Sequence, residues 1–159
     1  MLATGVEAPD FSLPDSNGNT VALKDFRGKW VVFWWYPEAN SSGCSVQAAS
    51  LERSLDDLTN DGVVLIGASF NTVAQNDEFA CDKSLRLVLL SDPDKVVGEK
   101  YKVIRDPSDR HPTKPHRYTY VIDPQGTVVH AEDANQVPLQ DYGPHVVELV
   151  RKLRAASEK

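Results

Sequence analysis

The sequence predicts a mixed α/β fold in which helices cover both faces of a central sheet. Three features support this prediction: apolar runs typical of buried strands, helical periods between those runs, and a hairpin followed by a final helix. The hydrophobic content of 41% is ordinary for a globular domain, and we find no repeat or linker-like stretch. We therefore expect a single domain over residues 1–159.

The N-terminal part is predicted to form short extended pieces and then a buried strand. Residues 11–13 lead into the turn signal Asp-Ser-Asn-Gly-Asn at 15–19, and 20–23 is extended again. Residues 30–36 form a continuous β-branched and aromatic run that Pro37 ends. Such a run is expected of a strand covered on both faces.

Two more apolar runs and a hairpin complete the predicted sheet. The runs are 63–69 and 87–90. The hairpin joins 118–123 to 127–130 through Pro-Gln-Gly. Between Ile104 and His116, three prolines indicate a long loop.

Helical periods lie between the strands. One helix has an apolar face with the spacing i, i+4, i+7, i+11 and i+14, formed by Cys44, Ala48, Leu51, Leu55 and Leu58. Shorter helices are predicted over 72–84 and 95–101. A C-terminal helix has Pro144 near its first turn and an apolar face formed by Val146, Leu149, Val150 and Leu153.

Charge and composition exclude several functions. Lys and Arg total 17 against 23 Asp and Glu, and a net charge of −6 argues against nucleic-acid binding. No apolar run approaches the roughly 20 residues that a membrane helix requires, so we expect no membrane association. The N-terminus lacks the pattern of a signal peptide, which predicts a cytoplasmic protein. In that reducing compartment Cys44 and Cys81 are more often reactive than structural.

Cys44 is placed where a thiol becomes reactive. It follows a buried strand and a short loop and opens a helix, with Ser41 or Ser42 as N-cap. Unpaired N–H groups and the helix dipole favour the thiolate there. The carboxyl end of a central strand is also where open α/β sheets place their sites. Placement alone is equally compatible with a small buried hydrophobe.

The residues around Cys44 resemble the peroxiredoxin signature Pro-x-x-x-Thr/Ser-x-x-Cys, with Pro37 and Ser41 at its other two positions. Residues 36–45 are similar to the Tyr-Pro-x-x-x-Thr-Pro-Gly-Cys-Thr run of the bacterioferritin-comigratory class, also called PrxQ. Similar segments follow in the family's order over nearly the whole chain: 8–13, 89–93, 101–103 and 117–126.

This resemblance implies a thioredoxin-like fold and a peroxidase that reduces hydrogen peroxide or organic hydroperoxides. Cys44 would attack the terminal peroxide oxygen and become a sulfenic acid. The Ser41 hydroxyl and the N–H groups of Gly43 and Cys44 would face the reacting oxygens. Ser42 replaces the class's Pro and Ser41 its commoner Thr, and neither change removes a catalytic atom.

The resemblance also assigns roles to Arg117 and Pro37. Arg117 would supply a permanent positive charge, although a surface salt bridge is the commoner fate of an Arg. Pro37 would shield the thiolate from water, or it simply terminates the strand. Gln47, three residues after Cys44, could orient Arg117 or could be a solvated helix residue.

A second thiol must resolve the sulfenic acid. The class often carries it five residues past the nucleophile, where Ala49 lies here, but some members carry it on the next helix, which matches Cys81. On a helix Phe79 is about 200° from Cys81, so Cys81 faces water if Phe79 faces the core. The acidic neighbours Asp77, Glu78 and Asp82 disfavour a second thiolate.

Cys44 and Cys81 are therefore predicted to form an intramolecular disulfide in a monomer. Residues on two separate helices rarely start within the ~7 Å Cα separation that a disulfide tolerates, so oxidation requires local unwinding. Thioredoxin or a similar dithiol would restore the enzyme. Two alternatives stay open: a one-Cys peroxidase with Cys81 idle, and a thioredoxin-fold redox-sensing or binding module with little turnover.

Other reaction types have no support in the sequence. No phosphate loop or dinucleotide fingerprint is present, so we predict no cofactor. The four histidines show no metal-ligand spacing and are predicted to lie at the surface without a metal: His111, His116, His130 and His145.

Overall fold

The chain forms two sheets in the computed structural model, which describes residues 1–158. The smaller is an antiparallel hairpin of β1 (Ser12–Pro14) and β2 (Thr20–Ala22). The strands of the larger sheet are β3 (Trp30–Trp35), β4 (Val63–Ser69), β5 (Val88–Ser91), β6 (Tyr118–Ile122) and β7 (Val128–Asp133). Their order is β5-β4-β3-β6-β7, with β3, β4 and β5 parallel and β6 antiparallel to both of its neighbours. The predicted mixed sheet is confirmed.

The helices also lie where the sequence predicts them. They are α1 (Ser42–Asn60), α2 (Val73–Asp82), α3 (Val96–Lys100) and α4 (Tyr142–Ser157). Several boundaries differ by one to three residues. The extended piece predicted over 20–23, for example, ends at Ala22, and Leu23 begins a short 3-10 helix. The Asp25 carboxylate accepts the Ala22 N–H at 3.2 Å and ends the strand there.

β3 is buried on both faces and separates two apolar cores. Its side chains alternate between them, as the period of a strand requires. Trp30, Val32 and Trp34 pack with side chains from α1, α2 and α4. The intervening side chains, Val31, Phe33 and Trp35, pack with α3 and the N-terminal hairpin. The prediction that helices cover both faces is therefore confirmed.

α1 carries Cys44 and is held against α4 by a close approach at Gly143. The Gly143 N–H donates to the Ser50 Oγ at 2.8 Å. A Cβ at Gly143 would clash with the Ser50 carbonyl oxygen, so only glycine allows this packing. No helix within residues 1–158 has the length and apolarity needed to cross a bilayer.

The proline-rich segment 104–116 is a loop, as predicted, and its two ends contact each other. Ile104 and Pro115 form an isolated bridge. The Arg105 guanidinium donates to the Pro115 carbonyl oxygen from Nε at 3.3 Å and from Nη2 at 3.2 Å. Arg117 follows this closed loop and lies directly before β6.

Candidate active site

Cys44 lies in the first turn of α1, as the sequence predicts. Of the two candidate N-caps, Ser41 is the one used, and its Oγ accepts the Cys44 N–H at 3.4 Å. We expect this N–H to face the reacting oxygens, and in the structure it is directed at the Ser41 hydroxyl. The Ser41 hydroxyl and the Cys44 sulfur thus belong to one capped helix terminus.

The loop between β3 and α1 is short and shaped by two residues. Pro37 is half-buried at the bend directly after the strand run. Asn40 adopts a φ of 64°, a left-handed conformation that Asn tolerates better than most residues. The chain thereby reverses direction and enters α1 with Cys44 against the sheet, fully buried.

Arg117 contacts Cys44 directly. Its Nη1 lies 3.3 Å from the Cys44 Sγ and donates to the Gln47 Oε1 at 2.8 Å. Arg117 is only 8% exposed and Gln47 is fully buried. The alternatives of a surface salt bridge for Arg117 and a solvated position for Gln47 are therefore wrong.

A third contact holds the other edge of the guanidinium. The Arg117 Nε donates to the Asn135 Oδ1 at 3.0 Å. Sequence analysis missed Asn135, because it lies in a 3-10 helix after β7 and belongs to no motif. Gly43 lies close to the same guanidinium, since a Cβ at Gly43 would be 3.2 Å from the Arg117 Nη2.

This arrangement suits a reaction in which negative charge moves from sulfur to oxygen. A buried guanidinium stabilises a negative sulfur strongly, because the surroundings screen the charge less than water does. Its planar fork also offers several N–H donors in fixed directions. The site can therefore hold a thiolate and an oxygen anion at one point.

Tyr36 is a further buried group beside the site that the sequence analysis did not single out. Its hydroxyl donates to the Asn76 Oδ1 at 2.6 Å. Burial raises the pKa of Tyr36 far above its ordinary value, and the nearby Cys44 adds to this effect. Tyr36 therefore remains a neutral phenol that joins the end of β3 to α2.

Cys81 lies on α2 in surroundings opposite to those of Cys44. It is exposed, whereas Phe79 is fully buried, so the predicted orientation of the helix is confirmed. Its Sγ lies 3.8 Å from the Asp77 Oδ1. The Asp77 charge is the main cause that raises the pKa of the Cys81 thiol, and Asp82 adds to it.

The active-site loop, residues 36–41 between β3 and α1, is hydrogen-bonded to residues near both ends of α2. Cys44 and Cys81 are not joined by a disulfide. Near the start of α2, the Asn71 Oδ1 accepts the Ala39 N–H at 2.9 Å and the Asn71 Nδ2 donates to the Glu38 Oε1 at 2.6 Å. At its end, the Asn40 Nδ2 donates to the Asp82 Oδ2 at 3.2 Å. The residue after Cys81 thus contacts the loop that precedes Cys44.

The four histidines, which are predicted to lie at the surface, differ in their exposure. His111 is exposed, but His116 is half-buried and stacks on Tyr118 with 4.5 Å between ring centroids. His130 and His145 are also half-buried, and both hydrogen-bond the Glu132 carboxylate, at 2.8 and 2.9 Å. The cluster joins two elements, since Glu132 and His130 lie in β7 and His145 lies in α4. Within the described chain no group of three or more His, Cys, Asp or Glu side chains is arranged to hold a metal ion.

Comparison with known proteins finds relatives that match most of the chain. The sequence pattern of the AhpC/TSA family matches residues 4–131. Peroxiredoxin Bcp of Escherichia coli K12 is 38% identical over 134 residues, which cover 83% of this chain and 86% of that protein. The chloroplastic peroxiredoxin Q of Triticum aestivum is 37% identical over 127 residues, covering 80% of this chain and 57% of that protein.

The fold is also shared with solved structures. PrxQ of Xylella fastidiosa superposes with a TM-score of 0.86 at 22% sequence identity, over 99% of this chain and 98% of that one. The likeness confirms the thioredoxin-like fold that the sequence resemblance implies.

Proposed function

Because the chain belongs to the AhpC/TSA family and is a peroxiredoxin of the Bcp/PrxQ class, a thiol peroxidase, we propose that Cys44 is its peroxidatic residue. The single observation that carries this assignment is the contact of 3.3 Å between the Arg117 Nη1 and the Cys44 Sγ inside a buried pocket. Cys81 has no comparable cation beside it within residues 1–158 and lies against a carboxylate instead.

In the proposed reaction the Cys44 thiolate attacks the terminal oxygen of a hydroperoxide. A sulfur–oxygen bond forms, the O–O bond breaks, and the alkoxide or hydroxide leaves and takes up a proton. Cys44 is oxidised to a sulfenic acid while the peroxide is reduced to an alcohol or water. Arg117 stabilises the thiolate and the developing oxygen anion, Ser41 caps the helix beneath them, and Pro37 limits the access of water.

We propose Cys81 as the resolving residue. Its thiol would attack the Cys44 sulfur, so that a disulfide forms and the sulfenic oxygen leaves as water. The hydrogen bond of 3.2 Å between Asn40 and Asp82 supports this role, because it places the end of α2 against the active-site loop. Because Cys44 is buried and Cys81 is exposed, we expect one or both helix termini to unwind before the disulfide forms.

The proposed mechanism also indicates the substrate, the reductant, the oligomeric state and the location of the protein. The substrate is a hydroperoxide, and thioredoxin or a similar dithiol protein reduces the Cys44–Cys81 disulfide by exchange. A disulfide within one chain needs no second subunit, which supports a monomer. The single central sheet with cores on both faces supports one domain over the whole chain. The cytoplasm, where thiols are kept reduced, remains the predicted location.

One observation favours the one-Cys alternative. Asp77 raises the pKa of Cys81 and so lowers its thiolate fraction, which slows attack on the sulfenic acid. In that case Cys81 is idle and an external thiol reduces Cys44. A redox-sensing module with little turnover is the second alternative, and the rate of the first oxidation separates it from an enzyme.

The test is peroxide oxidation of the reduced protein, followed by intact mass and non-reducing peptide mapping. We expect a fast loss of about two mass units and a Cys44–Cys81 peptide, because disulfide formation removes two hydrogens. Cys44→Ser should abolish fast oxidation. Cys81→Ser should keep it but stop at the sulfenic acid and lose turnover with thioredoxin. Full turnover by Cys81→Ser would support the one-Cys alternative, and slow oxidation of the unmodified protein would contradict a peroxidase.

A further inference from the structure

The hydrogen bonds of Arg117 leave one donor group of its guanidinium available. Nη1 is shared between Cys44 and Gln47, and Nε is bound to Asn135. Nη2 has no hydrogen-bond partner within residues 1–158, and it lies beside Gly43 at the start of α1. Because Arg117 is 8% exposed, the group is enclosed but still reachable from solvent.

These contacts determine the orientation of a planar group. A guanidinium has its donors in a rigid fork, so two fixed edges define both its plane and the direction of the third edge. Gln47 holds one edge through Nη1 at 2.8 Å, and Asn135 holds the other through Nε at 3.0 Å. Without Asn135, the contacts to Cys44 and Gln47 hold only Nη1, so the group could turn about that atom and move Nη2 from its place beside Gly43.

The main chain of Asn135, an exposed residue, is held by contacts to Arg117 and to the end of β7. The Asp133 Oδ1 accepts the Asn135 N–H at 2.9 Å. The Ala134 N–H donates to the carbonyl oxygen of Arg117 at 2.8 Å, and Ala134 is fully buried. The segment 133–135 is therefore bound to the main chain of the arginine whose side chain Asn135 holds.

We propose that Asn135 is a positioning residue for peroxide reduction, acting through the Arg117 guanidinium to direct Nη2 at the peroxide oxygens. This inference rests on the proposed role of Cys44. Asn135 binds Nε, whereas the Cys44 sulfur lies at Nη1. Asn135 therefore affects the direction in which the guanidinium N–H groups point. Its loss should therefore slow the reaction with peroxide more than reactions that need only a thiolate.

The test compares two reactions of Cys44 in Asn135→Ala. Stopped-flow oxidation by hydrogen peroxide should slow roughly tenfold, the size expected for losing one hydrogen bond to a charged group. Alkylation by iodoacetamide, measured in a Cys81→Ser background, should change less than about threefold, because it needs the thiolate but no aligned donors. Asn135→Asp keeps an acceptor and should recover most of the peroxide rate.

Two controls separate positioning from a general effect on the fold. Gln136→Ala alters the neighbouring exposed residue and should match the unmodified protein in both reactions. In an Arg117→Ala background, Asn135→Ala should cause no further loss, because the two residues act as one unit.

The inference is overturned if Asn135→Ala keeps the full peroxide rate, if both reactions slow in parallel, or if the loss persists in the Arg117→Ala background. Parallel loss would show a structural role only. A wild-type protein no faster than a free thiol would overturn the proposed function as well. A fast wild type with an unaffected Asn135→Ala would overturn this inference alone.

Discussion

At the scale of single residues, the two cysteines of this chain have opposite surroundings. The Cys44 sulfur is buried and lies 3.3 Å from a guanidinium nitrogen, whereas the Cys81 sulfur is exposed and lies 3.8 Å from a carboxylate oxygen. A nearby cation favours the thiolate and a nearby anion disfavours it. The order of events in the proposed reaction, with Cys44 first and Cys81 second, follows from this contrast.

The reactivity of Cys81 should depend on Asp77. Because Asp77 is the main cause of the raised pKa of Cys81, Asp77→Asn should lower that pKa. The pH profile of Cys81 alkylation, measured in a Cys44→Ser background, should then move to lower pH and the rate near neutral pH should rise. Asp57→Asn removes the same charge from an exposed position of α1 and should leave the profile in place. If Asp77→Asn and Asp57→Asn gave the same pH profile of Cys81 alkylation, Asp77 would not be the main cause of the raised pKa of Cys81.

At the scale of elements, the proposed Cys44–Cys81 disulfide requires that α2 be held in place at rest and yet release Cys81 on oxidation. Asn76, fully buried in the middle of the helix, anchors it by accepting the Tyr36 hydroxyl at 2.6 Å and donating to the Ser91 Oγ at 2.9 Å and the Leu90 carbonyl oxygen at 3.3 Å. Cys81 lies more than one turn further along, next to the C-terminal residue Asp82. The last turn can therefore unwind while the anchor at Asn76 stays.

Removing that anchor should be costly. Asn76→Ala leaves the buried Tyr36 hydroxyl and Leu90 carbonyl without their partner, and we expect the free energy of unfolding to fall by about 3 kcal/mol. Urea unfolding measures this change. Glu78→Ala, an exposed change on the same helix, should stay within about 0.5 kcal/mol of the unmodified protein. A similar small loss in Asn76→Ala would show that the buried bonds contribute little.

At the scale of the whole molecule, the central sheet brings together site residues that are far apart in the chain. β3 leads into the loop and helix of Cys44, and β6, directly beside it, starts one residue after Arg117. The packing of α4 on α1 then keeps the Cys44 helix against the sheet. The site geometry therefore depends on contacts far from the sulfur.

Gly143 provides a test of that dependence. Gly143→Ala forces a methyl group against the Ser50 main chain, so α1 and α4 must separate. We expect a loss of about 2 kcal/mol in the free energy of unfolding, the usual cost of overpacking a core. Glu148→Ala, on the exposed side of α4, should have little effect. Thermal unfolding of both variants checks this, and equal midpoints would mean that the two helices can adjust without cost.

Much of this architecture could be predicted from local patterns. The apolar runs predicted β3, β4 and β5, the hairpin signal predicted β6 and β7, and the apolar spacing from Cys44 to Leu58 predicted α1. The N-cap at Ser41 and the outward direction of Cys81 also follow from residues within one or two turns. Such features are determined over short distances by periodicity and capping, which act before the chain has a tertiary fold.

The contacts of the site itself could not be derived in this way. Arg117 was singled out by family resemblance, but its burial and its bond to Gln47 require β6 to lie beside β3. Asn135 and the clustering of His130 and His145 on Glu132 carried no signal in the sequence. The helices and strands, and the place of Cys44 in the first turn of α1, follow from local patterns in the chain. The groups around its sulfur do not, because residues 73 apart in the chain meet there through strand order and helix packing, which local periodicity does not encode.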